Sequence, residues 1–149
     1  MADDVTPPWD QETTLERARD QVVRRVDEQA TSRGVDRHWL SGDDLTVQLA
    51  AIERLGGGAV VGSDMVLWRW SPAALNQLSA QLRRRDGLLV YLEPTAGLGL
   101  RRAMQLLGRR YRQDVPAALR GAGLIVTTQV RLRHGVIGTF VRGEARHFD

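Results

Sequence analysis

The segment Leu88–Leu92, with the sequence L-L-V-Y-L, constrains the fold more than any other part of the chain. A continuous apolar run of this kind is typical of a parallel sheet, because helices cover both faces of such a sheet. The preceding Asp86-Gly87 predicts a tight turn. Before that turn, Ser71-Pro72 predicts the start of a helix that runs to about Arg84, with Ser as N-cap and Pro in the first turn.

The rest of the chain alternates helices and strands in the same way. We predict a helix Glu12–Ala30 ended by Gly34, a strand Arg37–Leu40, a helix Leu45–Leu55 capped by Asp43 or Asp44, a strand Ala59–Gly62, helices Leu98–Tyr111 and Val115–Gly121 (the second capped by Asp114), and two β-rich runs around His134-Gly135 that form an antiparallel pair. This order predicts a single layered α/β domain over residues 11–149, after a flexible segment 1–10 that contains Pro7-Pro8.

The composition narrows the class of protein. With 149 residues and 42% hydrophobic content, the chain forms one ordinary domain with a core. It has no Cys, which excludes disulfides, thiolate metal sites and a cysteine nucleophile. No apolar run approaches the roughly 18–20 residues of a membrane span. The N-terminus is acidic and then prolyl, unlike a signal peptide, so we expect a cytoplasmic protein without a membrane partner.

The basic residues allow a nucleic-acid hypothesis but do not favour it. The net charge is +3, and all 21 basic residues are Arg. The 18 acidic residues are interleaved with them, and the only triplet, Arg83–Arg85, precedes the predicted turn. A solvated helix end explains such a triplet, so an Arg-rich nucleic-acid-binding protein stays an alternative and nucleic acid is not the expected partner.

Three consecutive glycines, Gly56–Gly58, raise the question of a phosphate-binding loop. Such a loop needs a strand before the glycines and a Lys with Ser or Thr opening a helix after them. Here a predicted helix precedes the glycines, a strand follows, and the chain has no Lys. We therefore interpret the glycines as a helix C-cap and turn. The carboxyl end of that strand, Gly62-Ser63-Asp64, is the better candidate, because ligands of open α/β sheets bind there.

The order of three segments resembles class I S-adenosylmethionine-dependent methyltransferases. These are G-D-D-L at Gly42–Leu45, A-V-V-G-S-D-M-V-L-W-R-W-S at Ala59–Ser71, and L-R-R-R-D-G-L-L-V-Y-L-E-P at Leu82–Pro94. In that family the first of these segments follows the third strand. The second forms the fourth strand and its turn, and the third forms the fifth strand with its preceding turn. The resemblance implies a Rossmann-like three-layer sandwich with a closing antiparallel β-hairpin, S-adenosylmethionine as cofactor and a small-molecule methyl acceptor.

The resemblance also implies roles for particular residues, each with a plainer alternative. Asp43 and Asp44 match the pair that holds the adenine amino group, with Leu45 against the ring; the alternative is a helix N-cap. Ser63 and Asp64 would face the methionine end of the cofactor, or form a turn. Asp10 lies one residue from the position that holds the ribose. Four residues would contact the substrate. Trp68 and Trp70 would do so unless they belong to the core, and Arg69 unless it is solvated. Glu93 would do so unless it faces solvent or a helix terminus.

The chain also departs from the family. Its first strand and glycine-rich loop should precede residue 1, so the fold is expected to be incomplete at the N-terminus, and a non-catalytic, truncated interaction module is the alternative function. In the family the first strand lies between the second and the fourth. Without it, the strand Ala59–Gly62 has an unpaired edge. Either Arg37–Leu40 moves in beside it, or another chain (a homodimer or partner protein) covers it, or the fold is rebuilt. The three scattered histidines do not suggest a metal site.

Overall fold

The computed structural model describes residues 15–41, 45–94, 115–134 and 138–147. The helices are α1 (Leu15–Arg33), α2 (Leu45–Arg54), α3 (Pro72–Arg85) and α4 (Val115–Gly121), and a 3₁₀ turn covers Leu67–Arg69. The strands are β1 (Arg37–Leu40), β2 (Val60–Asp64), β3 (Leu88–Pro94), β4 (Leu124–His134) and β5 (Gly138–His147). The predicted helix Leu98–Tyr111, the cap Asp114 and the segment 1–10 lie outside the described residues.

The five strands form one sheet in the order β1-β2-β3-β5-β4. β1, β2 and β3 are parallel, whereas β5 runs antiparallel to both β3 and β4. The α/β class and the closing antiparallel pair are therefore confirmed. The strand predicted at Ala59–Gly62 runs from Val60 to Asp64, so Ser63 and Asp64 belong to the strand itself.

β1 fills the place beside β2 that the sequence left open. Arg37 pairs with Val60 and Leu40 with Ser63, which makes the sheet continuous. The fit depends on Gly62, because a Cβ there would lie 2.6 Å from the Trp39 ring. The first of the three options is thus realised, and the edge on which the partner prediction was based is paired within the chain.

Helices cover both faces of the sheet, which gives three layers. On one face, α1 packs a strip of small and branched residues against apolar residues of β2 and β3: Ala18, Val22, Val26 and Ala30 against Val60, Leu88, Val90 and Leu92. On the other face, α2, α3 and α4 enclose the larger core, with Ile52, Leu75, Leu78, Leu82 and Leu119 buried against Val61, Leu89 and Tyr91. The burial of this apolar area is the main stabilising contribution.

Ion pairs between α1 and three different strands set its orientation over the sheet. They are Asp27–Arg37 to β1, Arg19–Asp64 to β2 and Arg25–Glu144 to β5. The first two are about half exposed and contribute little stability. The Glu144 side chain is only 11% exposed, so its charge needs the Arg25 partner.

Turn and cap residues behave as the sequence predicts. Gly34 ends α1 with a φ of 65°, and Ser71 Oγ accepts from Ala74 N at 3.2 Å at the start of α3. Gly56–Gly58 connect α2 to β2, and Gly58 has a φ of 78°. The glycines therefore form a turn after a helix, which excludes the phosphate-binding loop. Within the described ranges, none of the helices is long and apolar enough to cross a membrane.

Candidate functional site

The parallel strands β1, β2 and β3 end at one edge of the sheet, which we call the carboxyl edge. Ser63 of β2 pairs with Tyr91 of β3 and Asp64 pairs with Leu92, so Glu93 lies one register position beyond Asp64 and two beyond Ser63. Successive strand residues point to opposite faces. Asp64 therefore faces α1, whereas Ser63 and Glu93 face the larger core.

Glu93 is fully buried and connects the tips of two strands to the 3₁₀ turn. Its Oε2 accepts from Ser63 Oγ and from Val66 N, both at 3.2 Å, and its Oε1 accepts from Trp68 N at 3.0 Å. Ser63 is also fully buried. The carboxylate thus caps the 3₁₀ turn, which is the helix-terminus alternative considered for Glu93.

Burial raises the pKa of Glu93 to about 8. The three hydrogen bonds to the carboxylate lower the pKa and so offset part of this effect, while the nearby Asp64 charge raises it further. Desolvation dominates because removing a carboxylate from water favours its neutral form. Glu93 is therefore mainly protonated at neutral pH.

Among the described residues of this edge, Asp64 is an accessible acid, since its side chain is 37% exposed. Arg19 of α1 donates its Nε–H to the carboxylate, with distances of 2.9 Å to Oδ2 and 3.2 Å to Oδ1. The Arg19 side chain is 49% exposed. The edge therefore presents a negative and a positive group side by side. The sequence analysis found Asp64 but missed Arg19, which is 45 residues away in the chain.

Met65 turns the chain directly after β2. It has a φ of 58°, a left-handed conformation that is uncommon for residues other than Gly. Its N–H donates to Leu92 O at 2.8 Å, and its carbonyl accepts from Trp68 Nε1 at 2.9 Å. This turn carries the chain across the tip of β3. The sequence analysis missed Met65, because nothing in a methionine signals a left-handed backbone.

The predicted substrate-binding residues divide between core and surface. Trp70 is 4% exposed and belongs to the larger core, as expected for one of the two tryptophans. Trp68 is half-buried at the 3₁₀ turn, and Arg69 is exposed there. Only Trp68 and Arg69 of this group reach the surface next to Glu93.

The adenine and ribose candidates Asp43, Asp44 and Asp10 lie outside the described residues, and Leu45 is the first residue of α2. The chain entering that segment is fixed by a short network. Gln48 donates its Nε2 to Ser41 O at 2.8 Å, and its Oε1 lies 2.9 Å from His38 Nε2. Ser41, the last described residue before that segment, is therefore held next to the end of β1. Among the described residues, no group of three His, Asp or Glu side chains could hold a metal ion.

No protein-family model and no curated protein matches the sequence of this chain. Solved structures do match its fold. Magnesium protoporphyrin IX methyltransferase (ChlM) from Synechocystis PCC 6803, with bound SAH, is 14% identical, with a TM-score of 0.55 over 90% of this chain and 85% of its own. N-methyltransferase NodS from Bradyrhizobium japonicum WM9, in complex with S-adenosyl-L-homocysteine, is 11% identical, with a TM-score of 0.54 over 93% and 90%.

The chain has the fold of class I S-adenosylmethionine-dependent methyltransferases. In this methyltransferase fold, the strand next to the fourth is the first strand. β1, predicted to correspond to the third strand, takes that first-strand place beside β2. The segment after β1 thus follows a strand in the position from which the family's glycine-rich loop starts.

Proposed function

We propose that this chain is an S-adenosylmethionine-dependent methyltransferase that acts on a small-molecule acceptor at the carboxyl edge. The observation that carries the proposal is the methyltransferase fold together with the exposed Arg19–Asp64 pair at that edge. Fold alone does not determine function, so the proposal also depends on the residues of the site. In open α/β sheets the carboxyl ends of the strands are where ligands bind.

The Arg19–Asp64 pair fits the amino-acid end of the cofactor. The methionine moiety carries an ammonium and a carboxylate, and Asp64 and Arg19 present the opposite charges about half exposed. Charge-assisted hydrogen bonds of this type are the strong ones. The cofactor itself supplies an activated methyl group on a sulfonium, so the protein's residues mainly have to bind and orient it and the acceptor.

We assign the adenosine end to the segment that follows β1. Asp43 or Asp44 would accept from the adenine amino group, Leu45 would lie against the ring, and Asp10 would bind the ribose. Gly42 supports this assignment, because it follows a strand in the first-strand place and a glycine allows close approach of backbone to ligand.

The acceptor would bind next to the 3₁₀ turn. Trp68 and Arg69 are proposed to contact it, because they reach the surface beside the cofactor end of β2. Glu93 and Ser63 are buried, so we propose that they position this turn, with Glu93 holding a proton that neighbouring groups can share. Trp70 supports the turn from the core.

Calorimetric titration with S-adenosylhomocysteine tests the proposal. We expect the wild type to bind, Asp64→Asn to weaken binding at least tenfold, and Asp43→Ala or Asp44→Ala to weaken it as well, because hydrogen bonds to charged groups contribute about 1.5–3 kcal/mol. Asp27→Asn is the matched control. It removes the same kind of half-exposed ion pair between α1 and the sheet, but at the amino end of β1, and should change affinity less than twofold.

Two results would count against this proposal, the first against the methyltransferase function and the second against the role of Asp64. No heat and no thermal stabilisation in a folded wild-type chain would assign it to the non-catalytic alternative. Equal weakening by Asp64→Asn and Asp27→Asn would mean that the position of α1, and not the Asp64 carboxylate, determines binding.

A further inference from the structure

The opposite edge of the sheet, where β2 and β3 begin, holds a cavity of about 890 Å³. We call it the amino-edge cavity. Its ionisable lining residues are Arg33, Arg84, Arg85, Asp86, Arg146 and His147. The rest of the lining comes from Val35 and from the turns that contain Gly57, Gly58 and Gly87. Backbone rather than bulky side chains therefore forms part of the wall, which leaves room between the guanidinium groups.

The positive charge in this cavity is only partly neutralised, by Asp86 in its lining and by Glu53 beside Arg84. Arg33 donates to the carbonyl oxygens of Gly58 and Asp86, at 3.4 and 3.3 Å, and Arg85 donates to the carbonyl oxygen of Glu53 at 2.6 Å. Arg84 lies 3.9 Å from Glu53, and both side chains are more than half exposed. No carboxylate of the described residues forms an ion pair with Arg33, Arg85 or Arg146.

A smaller cavity between α1 and β5 shows the contrast. Its volume is about 280 Å³, and it contains Arg24, Arg25 and Arg142 together with Glu28 and Glu144. There Arg25 is paired with Glu144, and Arg142 donates to Gln21 Oε1 at 2.5 Å. Arg25 and Arg142 of that cavity are thus held by partners within the fold, whereas the arginines of the amino-edge cavity surround an open space with a net positive charge.

Two buried polar atoms also lack partners at the amino edge. Arg85 Nε and His147 Nδ1 are both inaccessible to solvent, and neither has a hydrogen-bond partner in the described part of the chain. Because solvent does not reach these two atoms, a ligand in the cavity would contact the accessible guanidinium nitrogens instead. Arg33 is held by two main-chain carbonyls, so its guanidinium is already oriented. A guanidinium that is already oriented loses less side-chain freedom when it binds an anion.

We propose that the amino-edge cavity binds a small molecule that carries two or more phosphate groups. Guanidinium groups match phosphate oxygens in geometry and remain charged at every physiological pH. Several arginines facing one cavity favour more than one phosphate, and about 890 Å³ accommodates a ligand of nucleotide size. The acidic and basic residues of the chain are interleaved and its net charge is only +3, so a concave, local site fits these observations better than an extended nucleic-acid surface.

The test is calorimetric titration with inorganic tripolyphosphate, pyrophosphate and orthophosphate at constant ionic strength. We expect affinity to rise with the number of phosphates, and Arg33→Gln and Arg84→Gln each to weaken tripolyphosphate binding at least fivefold. Arg24→Gln is the matched control, because it removes the same charge from the other cavity, and it should change the affinity less than twofold. The exposed Arg84 side chain ensures a variant that folds even where Arg33→Gln does not.

Three outcomes would overturn the proposal. They are no binding to the wild type, equal weakening by Arg24→Gln and Arg84→Gln, and displacement of tripolyphosphate by duplex DNA that binds more tightly. The second would show a general charge effect, and the third would show a nucleic-acid surface. The proposal does not depend on the methyltransferase assignment, since neither Arg33 nor Arg84 lies at the carboxyl edge.

Discussion

Replacing Glu93 tests the account of the carboxyl edge most directly. Glu93→Ala leaves Ser63 Oγ and the N–H groups of Val66 and Trp68 without their acceptor. Each buried polar group left unpaired costs about 1–3 kcal/mol, so for three groups we expect a loss of about 3–9 kcal/mol in the free energy of unfolding. Glu93→Gln keeps one acceptor oxygen but turns an NH₂ group toward one of the two N–H donors, so we expect a loss of about 1–3 kcal/mol.

The pH dependence separates the two forms of Glu93. Its pKa is about 8 in the folded chain and near the ordinary 4.5 when unfolded, so between these values the folded state binds one proton more than the unfolded state. Stability therefore falls as pH rises, by up to about 1.4 kcal/mol per pH unit. The contribution is complete below the unfolded pKa and lost as the pH passes the folded pKa. Glu93→Gln lacks this pH-dependent contribution, so the difference in free energy of unfolding between the wild type and this variant decreases from pH 5 to pH 8.

Urea unfolding at pH 5, 6, 7 and 8, followed by tryptophan fluorescence, measures both effects. Glu16→Gln, at an exposed position in the first turn of α1, is the control and should follow the wild type at every pH. A constant difference between the wild type and Glu93→Gln across this range would refute the protonated Glu93. Equal stability of Glu93→Ala and Glu93→Gln would refute its role as an acceptor for the 3₁₀ turn.

Two further predictions concern elements that position the site. Gly62→Ala should destabilise by about 1–3 kcal/mol, because its Cβ would overlap the Trp39 ring, and Trp39→Leu in the same chain should recover part of the loss in a denaturation experiment. Ser71→Ala should lower the free energy of unfolding, measured in urea, by about 1 kcal/mol, because Ala74 N loses its cap. Ser32→Ala, at an exposed position of α1, should not lower it.

Local signals made most of the fold predictable. Ser71-Pro72, Gly34 and the apolar run Leu88–Leu92 each specify a helix start, a helix end or a buried strand through interactions within a few residues. The pairing of β1 with β2 was less predictable, because it depends on Trp39 lying against Gly62, more than 20 residues away. A glycine such as Gly62 can be recognised in the sequence, but the residue that packs against it is determined by the fold.

The positions of the strand-end residues were predictable, and their surroundings were less so. Ser63, Asp64 and Glu93 were found because they end apolar strands, and the ends of parallel strands meet. The burial of Glu93 could not be predicted, because it results from the 3₁₀ turn folding over the tip of β3, and that turn depends on a left-handed Met65. The ion pair of Asp64 likewise depends on where α1 crosses the sheet.

The two edges of the sheet use charge in opposite ways, and this difference is itself testable. At the carboxyl edge, Asp64 has a cationic partner and Glu93 is mainly neutral, so the charges there cost the fold little. At the amino edge, four clustered arginines repel one another and the nearby Asp86 and Glu53 offset only part of their charge, which selection for stability alone would not maintain. Without an anion, the free energy of unfolding of Arg84→Gln should therefore be no more than about 0.5 kcal/mol below that of the wild type. Tripolyphosphate should raise the melting temperature of the wild type more than that of the variant. A variant that is clearly less stable without the anion would mean that Arg84 serves the fold, and that its place in the cavity reflects packing of α3 against α2.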